Sequence, residues 1–179
     1  MANPVVNASG GKTVTMHFRG QQVLDALLDK LKQPAYGLGT AKQVLLTGCS
    51  AGGMSVYLHA DYVATQVANP NLKKYKAAAL SGFFLDHPTS VGDQVTDEHY
   101  RYTFAMQNMS GGVNQRCIMS HSDSHATCST PQVNYEFVRS PFFVLNSMLD
   151  NYQMKDILQV GCNKVEDCNT TQVRFQLTI

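Results

Sequence analysis

The sequence has no tryptophan, little charge and no long apolar run. Charged residues make up 15% of its 179 residues, and 14 Lys and Arg against 13 Asp and Glu leave a formal net charge of +1. This balance provides no basic patch for a phosphate backbone, so nucleic acid is not an expected partner. No segment approaches the roughly 20 apolar residues that cross a bilayer, and residues 1–4 do not resemble the start of a signal peptide. We therefore expect neither a membrane helix nor a signal peptide in this chain.

Cysteines are few but clustered. Four of the five fall into two local pairs, Cys117 with Cys128 and Cys162 with Cys168, each separated by a short polar stretch. Local pairs of this kind are typical of small disulfide-closed loops in secreted proteins. Three Asn-x-Ser/Thr sequons favour the same location. They begin at Asn7, Asn108 and Asn169. The composition therefore indicates an oxidising, extracellular compartment.

Helical and strand patterns alternate along the chain. Apolar residues repeat at helical spacing over 23–31 and again over 51–67, which predicts two helices. Short apolar runs predict parallel strands at 44–47, 76–80 and 141–146. We expect the first of these strands to be covered on both faces. The alternation indicates an α/β fold, with a parallel sheet and flanking helices.

The segment between the last two strands is unusually long. Residues 87–140 are polar and rich in Ser, His, Gln and Asn, which predicts a loop-rich or helical cap inserted into the sheet. A short strand at 13–18 belongs to a lead-in segment. No internal repeat divides the chain, so we interpret residues 1–179 as one partial domain with a core of its own.

Residues 48–52 have the sequence Gly-Cys-Ser-Ala-Gly and fit the G-x-S-x-G pattern. The pattern lies directly after a predicted strand and directly before a predicted helix, the context in which it marks a nucleophilic serine. A serine on such a tight turn has a strained backbone, and Gly48 and Gly52 let strand and helix pass close together. The Ala51 N–H and the positive end of the helix face the place where an oxyanion would form. Ser50 is therefore the predicted nucleophile and Ala51 the predicted oxyanion donor.

The alternative is a glycine-rich turn that contains a serine by chance and binds a phosphate or nothing. The strand before it, the helix after it and a further glycine at Gly53 favour the nucleophile. Cys49, beside the serine, is interpreted as a small buried packing residue rather than as a second nucleophile.

An acid is expected after the serine in the chain. Asp150 lies just past the predicted strand at 141–146, at the carboxyl end of a parallel strand and therefore at the same edge of the sheet as Ser50. Asp86 occupies a similar position after the strand at 76–80 and is the alternative acid. The alternative to a catalytic role, for either residue, is that its carboxylate caps a helix or a turn.

A catalytic base is missing from the expected place, because no histidine follows His125. His17 precedes the serine. His59 is nine residues into the predicted helix, roughly 13 Å along its axis, which is too far to hydrogen-bond the Ser50 hydroxyl. His87 and His99 lie between the strands of the two candidate acids and are interpreted as polar loop residues.

A second cluster raises the question of a metal. Cys117, His121, His125 and Cys128 supply four zinc-type ligands, but their spacing matches no common zinc module. Since Cys162 and Cys168 form a second local pair, a disulfide between Cys117 and Cys128 is favoured over a metal site.

Several segments occur together and in a characteristic order. They are Phe-Arg-Gly at 18–20, Leu-Leu-Thr-Gly-Cys-Ser-Ala-Gly-Gly at 45–53, Leu-His-Ala-Asp at 58–61, Gly-Phe-Phe-Leu-Asp at 82–86, Leu-Asn at 145–146 and Asp-Asn-Tyr-Gln at 150–153. Together these segments resemble the pectin acetylesterase and Notum family of secreted serine carboxylesterases, in its plant-type form. The resemblance implies an α/β-hydrolase-like fold, with Ser50 as nucleophile and Asp150 as acid. It also implies that the pairs Cys117/Cys128 and Cys162/Cys168 are disulfides.

Two features of this family have no counterpart here. Its members carry a Gly-Gly-Gly-Trp-Cys segment well before the serine, which completes the oxyanion hole, and a histidine downstream of the second cysteine pair. The chain resembles the middle of a family member, so we expect these residues alone to be nearly inactive, with the incomplete hole alone forfeiting a factor of roughly 10² to 10³. We also expect an open sheet edge, marginal stability and a tendency to associate.

The resemblance implies hydrolysis of O-acetyl esters on pectin or a related polysaccharide through an acyl-enzyme. Ser50 would attack the acetyl carbonyl, Asp150 would orient a histidine from outside this chain, and no cofactor would be required. Another member of the family removes a fatty acyl group from a signalling protein, so the acyl group and its carrier stay open. A non-catalytic descendant that binds glycan or protein is the alternative hypothesis.

Overall fold

A computed structural model describes residues 5–8, 12–162 and 164–177. The strands among these residues are β1 (Val5–Ala8), β2 (Lys12–Thr15), β3 (Gln43–Cys49), β4 (Lys74–Leu80) and β5 (Phe142–Leu145). The helices are α1 (Gly20–Lys32), α2 (Ala51–Gln66), α3 (Val95–Gln107), α4 (Gln115–Ser120), α5 (Pro131–Asn134) and α6 (Thr170–Leu177). A π-helical turn covers Gln153–Ile157. Within the described residues, no helix combines the length and the apolar character that a membrane span needs.

β3, β4 and β5 form a parallel sheet with β4 in the centre. Cys49 aligns with Leu80, and Leu80 aligns with Leu145, so the three strands end at one edge. The loops that follow parallel strands meet at this edge, which is where α/β sheets place their binding sites. The predicted α/β fold with parallel strands and flanking helices is confirmed. The lead-in strand is shorter than predicted, and as β2 it pairs with β1 in a separate antiparallel ribbon.

α2 covers one face of the sheet. Its Val56, Tyr57 and Ala60 are buried against the alanines of β4. Further along the helix, Val63 and Leu28 of α1 belong to one cluster with Val44 and Leu46 of β3, so α1 packs on the same face of the sheet. Burial of such apolar side chains contributes about 1.5–3 kcal/mol each. This packing fixes the direction of α2 relative to the strand that precedes it.

Within the part of the chain that the structure describes, the opposite face of the sheet is not covered, so the prediction that β3 is covered on both faces is wrong. Leu45 is 62% exposed and Phe143 is 63% exposed. Cys49 lies on the same face as an exposed free thiol, so its interpretation as a buried packing residue is also wrong. An apolar run is consistent with a doubly covered strand, but coverage needs a second layer of helices. The described residues supply such a layer on one face.

The insertion between β4 and β5 is largely helical and contains a disulfide at its centre. Cys117 and Cys128 are bonded to each other, fully buried, and packed against Val113. The second disulfide joins Cys162 to Cys168.

Asp61 of α2 ties this insertion to the helix that follows Ser50. Its carboxylate accepts hydrogen bonds from the backbone N–H groups of Arg139, at 3.1 Å, and Ser140, at 2.8 Å. It also forms an ion pair with Arg116. The start of β5 is thereby held against α2.

Candidate active site

Ser50 occupies the sharp turn between β3 and α2. Its φ of 56° and ψ of −123° lie outside the conformations that a serine ordinarily adopts. The strain is held by two backbone hydrogen bonds, from Ser50 N–H to Leu80 O and from Met54 N–H to Ser50 O, both of 3.0 Å. The side chain is exposed. The turn therefore presents the Ser50 hydroxyl at the carboxyl edge of the sheet.

Close contacts between backbone segments explain the glycines around this turn. A Cβ at Gly53 would lie 2.6 Å from Leu80 O, and one at Gly82 would lie 2.5 Å from Met54 N. A Cβ at Gly48 would collide with the carbonyl of Gly52. A Cβ at Gly52 itself would meet open space. The prediction of close approach is therefore confirmed for Gly48 and wrong for Gly52, and Gly53 and Gly82 also have that role.

Ala51 is the first residue of the 16-residue helix α2. The first N–H groups of a helix have no partner within it, and the helix dipole adds partial positive charge at this end. An oxygen anion formed next to Ser50 would therefore find a hydrogen-bond donor and a favourable potential.

Asp150 follows β5 and caps the helical turn behind it. Its Oδ1 accepts hydrogen bonds from the N–H groups of Tyr152, at 2.9 Å, and Gln153, at 3.1 Å. For the described part of the chain, the structure records no hydrogen bond to Oδ2. The structural interpretation as a helix cap is thus correct for one oxygen, and the other is available to a further donor such as an imidazole N–H.

Ser50 and Asp150 line the same pocket, which has a volume of about 610 Å³. The pocket is also lined by Ala51, and by residues of α3 and of the turn that Asp150 caps. Asp86, the alternative acid, does not line it among the described residues. Burial and the nearby Asp97 raise the pKa of Asp86, and its backbone N–H donates to Gln132 Oε1.

His99 lies in the Ser50 pocket, which its interpretation as a polar loop residue did not predict. It belongs to α3 rather than to a polar loop, and it is the one histidine among the described residues that lines the Ser50 pocket. Its signal in the sequence is weak, because its position relative to Ser50 depends on the packing of a helical insertion. His59 lies on α2 as predicted, and burial lowers its pKa.

The Cys and His cluster does not offer thiolate ligands. The candidate ligand atoms of Cys117, His121 and Cys128 lie within 4.8 Å of one another. However, the two sulfurs are bonded to each other, and a disulfide has no thiolate to bind zinc. His121 Nδ1 instead lies 3.2 Å from the carbonyl oxygen of Cys117.

The chain is similar in sequence to two groups of known proteins. The chain is 31% identical to pectin acetylesterase 5 of Arabidopsis thaliana over 143 residues, which is 80% of this chain and 32% of that protein. It is 31% identical to the palmitoleoyl-protein carboxylesterase NOTUM of Homo sapiens over 144 residues, which is 75% of this chain and 27% of that protein. The chain spans about a third of the length of these curated relatives.

A solved structure supports the fold. The Wnt deacylase Notum from Drosophila superimposes with a TM-score of 0.75 at 23% identity, over 97% of this chain and 48% of that one. The sequence family described as Pectinacetylesterase (PAE) matches residues 6–177, which is nearly the whole chain. The resemblance seen in the sequence motifs is therefore confirmed, and this chain belongs to the pectinacetylesterase family.

Proposed function

We propose that this chain carries the nucleophile, one oxyanion donor and the acid of a serine carboxylic ester hydrolase. The observation that carries the proposal is the backbone of Ser50, held at a positive φ between β3 and α2 in a pocket shared with Asp150. Strain of this kind persists where the surrounding structure fixes it, and it clusters at functional sites. The names of the relatives, pectin acetylesterase and palmitoleoyl-protein carboxylesterase, support ester hydrolysis.

In the proposed reaction, Ser50 Oγ attacks the carbonyl carbon of the ester while a histidine accepts its proton. The N–H of Ala51 donates to the oxyanion, and the alcohol leaves with a proton from that histidine. Water then hydrolyses the acyl-enzyme and releases the acid. Asp150 orients the imidazole through Oδ2, while Oδ1 stays on the helical turn. The family resemblance implies that this histidine lies outside these 179 residues, and the proposed chemistry needs no cofactor.

The proposed substrate is an O-acetyl ester on pectin or a related polysaccharide, and the proposed location is extracellular. Support for the substrate comes from the relatives named pectin acetylesterase. Support for the location comes from the two disulfides, which are typical of oxidising compartments.

The test is release of acetate from acetylated pectin by the full-length protein. We expect Ser50→Ala to lower kcat by about 10⁴-fold or more, and Asp150→Asn to lower it by about 10⁴-fold through loss of the orienting carboxylate. Equal rates for the wild type and Ser50→Ala would contradict the proposal.

A further inference from the structure

The wall of the Ser50 pocket that α3 forms is mostly polar. Of the five residues of α3 that line the pocket, Val95 is apolar and four are polar, namely Thr96, His99, Tyr100 and Thr103. They are spaced three and four residues apart, so they share one face of the helix. Hydroxyl and imidazole groups on this face supply both hydrogen-bond donors and acceptors to whatever enters the pocket.

Tyr152 provides an aromatic surface in the same pocket. Its side chain is 56% exposed although it lines a concave site. Its ring contacts the ring of Phe84 edge to face, with centroids 5.6 Å apart and planes at 73°. Tyr152 is two residues beyond the predicted acid, and its backbone N–H donates to Asp150 Oδ1.

Hydrogen bonds hold the backbone at Phe84 and Leu85 from both sides. The Tyr100 hydroxyl donates to Phe84 O at 3.3 Å, which connects the pair to α3. The N–H of Leu85 donates to Gln153 Oε1 at 3.2 Å, which connects it to the turn capped by Asp150. A surface fixed in this way loses little conformational entropy when a ligand binds.

A ring exposed beside hydroxyl and imidazole groups suits a saccharide. The C–H face of a sugar packs on an aromatic ring, and its hydroxyls need the partners that the polar face of α3 offers. The pocket is also lined by apolar side chains, among them Met54, Met109 and Ile157, which suit the acyl part of the ester rather than the sugar. We propose that Tyr152 and the polar face of α3 bind the sugar that carries the ester, so that a short acyl group reaches Ser50.

This inference rests on the proposed function for the identity of the ester, but its test measures binding alone. The Ser50→Ala form of this chain, which cannot turn the ligand over, is titrated with an acetylated oligogalacturonide and followed by NMR. We expect Tyr152→Ala to weaken binding about fivefold to tenfold, while Tyr152→Phe retains the ring and the affinity. Tyr36→Ala is the matched control, because Tyr36 is also 56% exposed and does not line the pocket among the described residues.

Three results would overturn the inference. These are equal affinity for the Tyr152→Ala and Tyr36→Ala forms, no saturable binding by the Ser50→Ala chain, and faster hydrolysis of p-nitrophenyl palmitate than of the acetate by the full-length protein. Thermal unfolding checks that each variant folds. If Tyr152→Ala does not fold, His99→Leu takes its place, and we expect the same loss of affinity. Failure of the proposed function would give a different result. In that case the full-length protein would hydrolyse the ester at the same rate with and without Ser50, whatever the binding measurements show.

Discussion

The glycines that follow Ser50 allow a sharp test of how this turn is built. The G-x-S-x-G pattern includes Gly52 and excludes Gly53, whereas the structure predicts that Gly53 matters more. A Cβ at Gly53 would lie 2.6 Å from Leu80 O and 3.0 Å from Gly82 Cα. Both atoms are backbone, at the end of the central strand β4, so they cannot rotate away as a side chain would.

The size of the effect follows from these contacts. Overpacking costs about 1–3 kcal/mol, and we expect the upper part of that range at Gly53 because backbone must move. The preference of a helix for Ala over Gly returns about 1 kcal/mol, which leaves a net loss of about 2 kcal/mol in the free energy of unfolding. At Gly52 no atom beyond its chain neighbours and the adjacent backbone of its own helix lies within 4 Å of the new Cβ, so Gly52→Ala should raise that free energy by about 0.4–1 kcal/mol.

The two variants should therefore differ by about 3 kcal/mol, or roughly 6–12 °C in Tm for a chain of this size. Thermal unfolding followed by circular dichroism measures the difference directly, with urea unfolding as a second estimate. Two results would contradict the claim that the close approach of α2 to β4 requires glycine at position 53. Gly53→Ala could unfold at the same temperature as Gly52→Ala, or Gly52→Ala could be the less stable of the two.

Three further predictions concern stability. Asp61→Ala loses charge-assisted hydrogen bonds to the insertion and should lower the free energy of unfolding, measured by urea denaturation, by about 3 kcal/mol. The control Asp29→Ala loses one exposed ion pair and should change that free energy by less than about 0.5 kcal/mol. Burial lowers the pKa of His59 below its ordinary 6.5, so the unfolded chain binds the proton more readily and stability falls as the pH drops through that value. His59→Gln should flatten this part of the Tm–pH curve, and an unchanged slope would show that His59 does not cause it. The Cys117→Ser/Cys128→Ser variant loses a buried disulfide across 11 residues and should lose about 3 kcal/mol in thermal unfolding; an unchanged Tm would contradict this.

Local patterns were enough to predict the elements around Ser50. The apolar run of β3, the glycines and the helical spacing of α2 all lie within 24 residues, from 43 to 66, and each depends on neighbours close in sequence. Asp150 could be placed at the correct edge because parallel strands end together and β5 directly precedes it. The two local cysteine pairs were likewise visible as short loops.

Features that depend on distant packing could not be predicted. Leu45 and Cys49 were expected to be buried, but burial on the second face of β3 needs a layer of helices that the described residues do not form. His99 was interpreted as a loop residue because the course of the insertion, and so its approach to Ser50, is set by contacts between separate segments. The difference between Gly52 and Gly53 depends on where β4 lies beneath α2, which no local pattern contains.

Trapping the acyl-enzyme tests the central claim most directly. The full-length protein is mixed with p-nitrophenyl acetate, quenched in acid, digested and analysed by mass spectrometry, beside Ser50→Ala and the control Ser55→Ala. Ser55 is also exposed, one turn into α2, where its hydroxyl donates to Ala51 O. We expect acetyl on the peptide that contains Ser50 in the wild type and in Ser55→Ala, and neither label nor turnover in Ser50→Ala. Turnover that persists in Ser50→Ala, with acetyl on another residue, would contradict the claim that this hydroxyl is the nucleophile.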